Sequence, residues 1–304
     1  MESCILENNE IKGVTRMTIV RGLVDIIEPI YVREGAGVLL RRSIATQKLD
    51  YLDPFLLFDH FGSENPQDYL AGFPMHPHRG IETVTYMLDG MVDHKDSMGN
   101  SGRIEKGDIQ WMTAGSGILH EEMPKEPDNG MMEGFQLWVN LPANLKMIKP
   151  RYRGVRSSEI PEVQLDNGIS VKIIAGEFGG VKGAVKEIFA DPEYLDISMP
   201  EECFFEQPVQ KGYTVFAYIF EGEGIFGDFE LDSRDNGTSV SATKLLIFDE
   251  GDVIRAYARD HVRFLLVSGK PLNEPIVRYG PFVMNTSEEI EQALKDLRDG
   301  TFVK

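Results

Sequence analysis

From Val24 onward the chain runs in short apolar stretches broken by polar residues and turn residues, among them Gly37-Val38-Leu39-Leu40, Thr83-Val84-Thr85-Tyr86-Met87-Leu88, Asp108-Ile109-Gln110-Trp111-Met112 and Phe135-Gln136-Leu137-Trp138-Val139. The stretches are rich in β-branched and aromatic residues and are cut by Gly, Pro and Asp, which is the pattern of an all-β sandwich or barrel. Up to about Arg21 the chain is mixed and polar, so residues 1–21 are expected to form a flexible tail. Pro142, Pro150 and the basic, polar run from Lys149 to Arg156 mark a change of character, and the linker falls between about Leu141 and Pro161. A second β-rich half follows, with Val171-Lys172-Ile173-Ile174-Ala175, Phe216-Ala217-Tyr218-Ile219-Phe220, Lys244-Leu245-Leu246-Ile247-Phe248 and Phe264-Leu265-Leu266-Val267.

The halves repeat each other. Thr83-Val84 matches Thr214-Val215, Asp89-Gly90 matches Glu221-Gly222, and Lys106-Gly107-Asp108-Ile109 matches Glu250-Gly251-Asp252-Val253. The reading is a duplicated barrel, one copy over 22–148 and one over 162–304, within the range a chain of 304 residues can bury as two cores. One helix is predicted near the C-terminus. Thr286 and Glu289 form a capping box, Ile290, Ala293, Leu294 and Leu297 supply an apolar stripe, and Gly300 stops the helix.

Charge narrows the partners. With 31 basic and 49 acidic residues the net charge is −18, which argues against direct contact with nucleic-acid phosphates or an anionic membrane surface. Cys4 and Cys203 are the only cysteines, so there is neither a disulfide framework nor a thiolate metal site. No apolar stretch approaches the roughly 18 residues of a membrane span, and the N-terminus lacks a basic region followed by an apolar run. A cytoplasmic location is expected, or a nuclear one in a eukaryote.

The candidate chemistry lies in two motifs of the first half. Phe73-Pro74-Met75-His76-Pro77-His78-Arg79-Gly80 and Ile118-Leu119-His120-Glu121-Glu122 hold three of the six histidines. In an extended strand i and i+2 share a face, so His76 pairs with His78, and His120 with Glu122. Two such pairs on facing strands make a ligand set of three imidazoles and a carboxylate. That set suits Fe(II), Mn(II), Ni(II), Cu(II) or Zn(II) and leaves two positions open on an octahedral ion. Glu121 and Glu82 compete for the carboxylate role: parity turns Glu121 away, whereas Glu82 shares the parity of His78 and stays an alternate. Carried back along the repeat, His76-Pro77-His78 falls on Gln207-Pro208-Val209, and the second half has only His261, so a three-histidine site belongs to the first barrel alone. His60 reads as a structural polar residue, and His94 and His261 as exposed turn residues. Phe73, Met75, Trp111, Met112, Met123 and Trp138 crowd the two motifs and read first as barrel core, with some lining a pocket.

These motifs, together with Leu52-Asp53-Pro54-Phe55-Leu56-Leu57-Phe58-Asp59, Gln110 to Pro124, Leu137-Trp138-Val139-Asn140-Leu141-Pro142 and Gly280-Pro281-Phe282-Val283-Met284-Asn285, resemble the pirins, two-barrel members of the cupin superfamily. The resemblance implies two stacked jelly-roll barrels and a single Fe(2+), or another divalent transition metal in its place, held in the first barrel by His76, His78, His120 and Glu122. It implies that Glu82 is not a ligand. It also implies one of two activities: opening of the flavonol ring of quercetin by O2 with release of carbon monoxide, Glu122 taking the proton of the 3-hydroxyl, or a non-catalytic, redox-sensing iron protein that regulates transcription through a protein partner. The first is the leading reading. A phosphosugar isomerase, a third cupin chemistry, has only Arg79 to support it.

Overall fold

In the computed structural model, which describes residues 18–126, 130–230 and 237–303, both halves are built almost wholly of antiparallel strands in one shared order. The large sheet of the first half runs Arg151–Val155, Ile109–Thr113, Ile81–Asp89, Met132–Asn140, Phe55–Ser63, Val38–Ile44, Ile30–Glu34. The second runs Leu23–Ile27, Lys244–Phe248, Thr214–Phe226, Val253–Gly269, Glu193–Met199, Ser170–Ala175, Glu162–Gln164. Position by position these are the same sheet. A smaller sheet, Phe73–His78, Ile118–Lys125, Met91–Asp96 and Ser101–Glu105, closes the first barrel. In the second, the long strands bend, so that Phe204–Pro208 and Thr238–Ser241 pair with their far ends and do the same work.

This correspondence corrects one anchor of the repeat. Ile109 opens a strand paired with Ile81–Asp89, but Val253 opens the segment paired with Phe204–Pro208, which is the counterpart of Ile118–Lys125. Lys-Gly-Asp and Glu-Gly-Asp are similar turns before different strands. Gly90 and Gly222 are equivalents, each in the left-handed region (φ 80° and 72°), where a side chain would be strained; Gly90 directly follows Ile81–Asp89, and Gly222 sits inside Thr214–Phe226 where the pairing register shifts.

The two large sheets pack face to face, and alternation along each strand decides what each face touches. Phe55, Phe58, Val84, Tyr86, Trp111 and Phe135 of the first sheet meet Tyr194, Phe216, Tyr218, Leu245 and Leu265 of the second in one apolar layer. His60 is buried there, between the Tyr218 hydroxyl at 3.0 Å and Glu133 at 3.1 Å, which fits its structural reading. The two interiors differ. That of the second barrel is filled by Ile173, Leu195, Phe205, Ala217, Ile254, Phe264 and their neighbours, whereas that of the first keeps a cavity of about 470 Å³.

The termini are exchanged between the barrels. Leu23–Ile27 completes the second sheet by pairing with Lys244–Phe248. Arg21, expected in the tail, is buried and donates to the carbonyls of Gly251, Tyr213 and Gln210; the rest of that tail up to residue 17, with Cys4, lies outside the described residues. Conversely, Val277–Tyr279, Phe282–Met284 and the helix Ser287–Arg298 pack on the first barrel. Thr286 caps this helix and Glu289 returns the bond, as the capping box predicts. The buried stripe differs from the sequence reading at one place. Leu297 is 37% exposed while Asp296 is buried, because Asp296 pairs with Arg79. No helix among the described residues is long and apolar enough to cross a membrane.

A pH-dependent consequence follows in the second barrel. Burial pushes the Glu193 carboxyl up to about 8; Oε2 accepts from Gln207 Nε2 at 3.2 Å and Oε1 is buried with no partner among the described residues. The folded state therefore holds this proton where the unfolded chain has released it, so the contribution of Glu193 to stability falls as pH rises from about 4.5 to 8. Glu193→Gln is expected to match the wild type near pH 5 and to exceed it by about 2–3 kcal/mol at pH 9, measured by denaturant unfolding at both values. An equal difference at both pH values would rule the buried carboxyl out as its source.

Candidate metal centre

Phe73–His78 pairs antiparallel with Ile118–Lys125, setting His76 opposite His120 and Ile118 opposite His78. The i, i+2 rule then turns His76, His78 and His120 to one side, and one ligand atom from each lies within 4.8 Å of the others. The ring centroids stand 4.3 Å (His76 to His120), 4.9 Å (His76 to His78) and 5.0 Å (His78 to His120) apart.

The chemistry of this group fits a divalent cation. The Nδ1 of His76 lies 2.9 Å from the Pro74 carbonyl, which sets Nδ1–H as donor and leaves Nε2 as a lone pair directed at Nε2 of His78, 3.0 Å away. Two lone pairs at that distance repel unless a cation or proton lies between them. His78 and His120 are 3% and 1% exposed, and both ring nitrogens of His120 are buried with no hydrogen-bond partner among the described residues. Burial first, then the neighbouring imidazoles, hold both well below the usual imidazole range, so they stay neutral and able to ligate; the Pro281 carbonyl opposes this at His78.

Glu122 lies on the same face of its strand and lines the same cavity but stands outside the three-histidine group. Its Oε1 accepts from Thr85 Oγ1 at 3.0 Å and Gln110 Nε2 at 3.1 Å. Burial raises its proton affinity, against His76 and those two donors. Glu121 points outward to Lys95, 3.7 Å away, as parity requires. Glu82 does not face inward with His78. The turn at Arg79-Gly80 ends one strand and starts another in the opposite sheet, resetting parity, so Glu82 is fully buried on the other face and bonded to Thr113 at 2.6 Å and Arg153 at 3.2 Å.

His94, read from sequence as an exposed turn residue, is 1% exposed on Met91–Asp96; its ring stacks on Tyr152 at 4.7 Å and lies 5.5 Å from that of His120. Its polar neighbours resemble a turn, but they stand on a strand of the barrel wall whose alternation turns His94 inward and Lys95 outward. His261 is exposed and meets Ser198 at 3.2 Å. Arg79 points away from the cavity into the C-terminal helix, with Nη1 2.8 Å from Asp296, which removes it as a phosphate ligand. In the second barrel, Gln207 opposes Ile254, so by register Ile254 and Ala256 stand where His120 and Glu122 stand in the first.

The cavity opens beside the histidines. Its walls take alternate residues from four strands: Val38, Leu40 and Arg42; Leu57, Asp59 and Phe61; Gln136 and Trp138; Pro74, His76 and His78. Of the aromatic and methionine residues near the motifs, Phe73 and Trp138 line it, whereas Trp111 and Met112 are core and Met75 is 49% exposed. The sequence reading missed the contribution of Arg278, Gly280 and Pro281, brought back from beyond the second barrel.

Two barrels of one strand order, with a histidine cluster in the cup of the first, define a two-domain cupin. The chain belongs to the pirin family: residues 37–139 match Pirin and 194–303 match the Pirin C-terminal cupin domain. It is 43% identical to human pirin over 271 residues, 88% of each chain. It is 42% identical to a Pseudomonas aeruginosa protein provisionally named a quercetin 2,3-dioxygenase, over 88% of this chain and 93% of that one. A crystal structure of quercetin 2,3-dioxygenase from Acinetobacter baumannii is similar throughout, with a TM-score of 0.82, 33% identity and coverage of 93% of this chain and 98% of the other.

Proposed function

We propose that the protein is a mononuclear metal-dependent dioxygenase of the quercetin 2,3-dioxygenase type, with iron held by His76, His78, His120 and Glu122. The observation that carries the reading is the convergence of three imidazoles at the wall of an apolar cavity of about 470 Å³, a size that suits a planar polycyclic substrate. A divalent transition ion bound there would supply Lewis acidity and open positions for a chelating hydroxyketone and O2.

The chain's own residues do the rest. Thr85 and Gln110 hold Oε1 of Glu122, leaving Oε2 to accept the proton of the substrate's 3-hydroxyl. Phe73, Leu57, Trp138 and Val38 cover the ring faces and exclude water. The Nδ1–H of His76, tied to Pro74, fixes which nitrogen of that ring is free to ligate.

The test is to measure the metal content of purified protein, then to mix the iron-loaded form with quercetin in the presence and absence of O2. Oxygen-dependent loss of flavonol absorbance with release of carbon monoxide is expected. Protein that holds one iron and leaves every flavonol intact under O2 would exclude the dioxygenase reading.

A further inference from the structure

The charged groups that line the cavity are not equivalent. Arg42 is fully engaged: Nε and Nη2 fork Asp59 at 2.8 Å each and Nη1 reaches Glu34 at 2.7 Å. Arg278 is engaged only along one edge. Its Nε and Nη1 donate at 3.3 Å to the carbonyls of Gly280 and Leu56, and its Nη2 donates to nothing among the described residues. Glu34, Asp50 and Asp59 act on it at a distance, but none forms an ion pair with it. The guanidinium lies over the Trp138 ring at 5.0 Å, and that ring meets His78 edge-on at 5.1 Å. Imidazole, indole and guanidinium thus form one row along the wall.

A half-buried guanidinium with a free edge beside an apolar cavity calls for an oxygen ligand. The indole attracts the cation that lies over it, and the Nη2 side, which donates to nothing among the described residues, is left for an acidic oxygen. Burial and the repulsion of Arg42 both work against its charge, so an anion placed at that edge would relieve an unfavourable arrangement.

We propose that Arg278 sets specificity at this site: the physiological substrate carries, remote from the oxygens that face the histidines, an acidic oxygen of a carboxylate or phenolate that binds the free edge of Arg278. This rests on the cavity being the substrate site, and it goes further by assigning the substrate a second, anionic end. The residue comes from the segment beyond the second barrel, so that segment would choose the substrate for the first.

The test is anaerobic titration of the metal-loaded protein, followed by tryptophan fluorescence. The probes are 3-hydroxyflavone and its derivatives bearing a carboxylate or a phenol at either end of the ring system. Wild type is expected to bind at least one acidic derivative about 10- to 100-fold more tightly than the parent, the size of a charge-assisted hydrogen bond in a partly desolvated site. Arg278→Met should erase that preference while leaving parent affinity within about twofold, and Arg278→Lys, which keeps the charge without the fork, should retain part of it. The inference is overturned if wild type shows no preference, if Arg278→Met keeps it, or if Arg278→Met weakens parent and derivative alike. Turnover is read separately: preference without ring opening under O2 would sink the dioxygenase reading and leave the role of Arg278 standing.

Discussion

Glu122→Gln is expected to retain most of the metal and to lose flavonol turnover by about 10²- to 10⁴-fold, the usual contribution of a positioned proton acceptor. The amide has nearly the shape of the carboxylate, and its oxygen can still accept from Thr85 and Gln110, so the wall of the cavity is preserved. The three imidazoles that converge within 4.8 Å are untouched. What is lost is the negative charge, and with it the capacity to take a proton. His120→Ala is the contrasting variant: it removes one of the three proposed imidazole ligands and should empty the site. Elemental analysis beside single-turnover kinetics separates the two, and a Glu122→Gln protein as fast as wild type would remove Glu122 from the reaction.

Asp296→Ala is expected to cost about 3–5 kcal/mol of stability, because it leaves a buried guanidinium without its counter-charge. Arg79 is 1% exposed; Nε donates to the Ser116 carbonyl at 2.7 Å, Nη1 to Asp296 at 2.8 Å, and the guanidinium lies 4.4 Å from the centre of the Phe302 ring. Since Arg79 directly follows His78, the helix bearing Asp296 braces the strand of His76 and His78 from behind. Metal retention should weaken along with thermal stability, whereas Asp296→Asn, which keeps an acceptor, should lose less of both. Unchanged melting of Asp296→Ala would mean that the brace carries no weight.

Period and punctuation made much of the fold legible. The strand runs, the duplication and the Thr286 capping box depend on residues close in sequence, and so does the facing of His76 with His78 and of His120 with Glu122. What escaped depends on distant partners. Asp296 has no place in the apolar stripe, and its burial is explained only by Arg79, 217 residues away. His94 sits among Asp and Lys that signal a turn, and only Tyr152 stacked on its ring explains its burial. Arg278 carries no motif, because its meaning comes from Trp138 and a cavity in the other barrel. Glu82 shows the limit of counting by twos: parity holds within a strand and fails across a turn that changes sheets.

The exchange of terminal segments sets an order on synthesis. When the first barrel leaves the ribosome its histidines are already present, but the Pro281 carbonyl beside His78, the Asp296 that steadies Arg79, and Arg278 at the cavity wall are still to be translated. Leu23–Ile27, made near the start, must likewise wait for Lys244–Phe248 before it has a partner. Neither barrel can mature as a separate nascent domain, so the histidine-lined pocket takes its final form only as the last part of the chain is made.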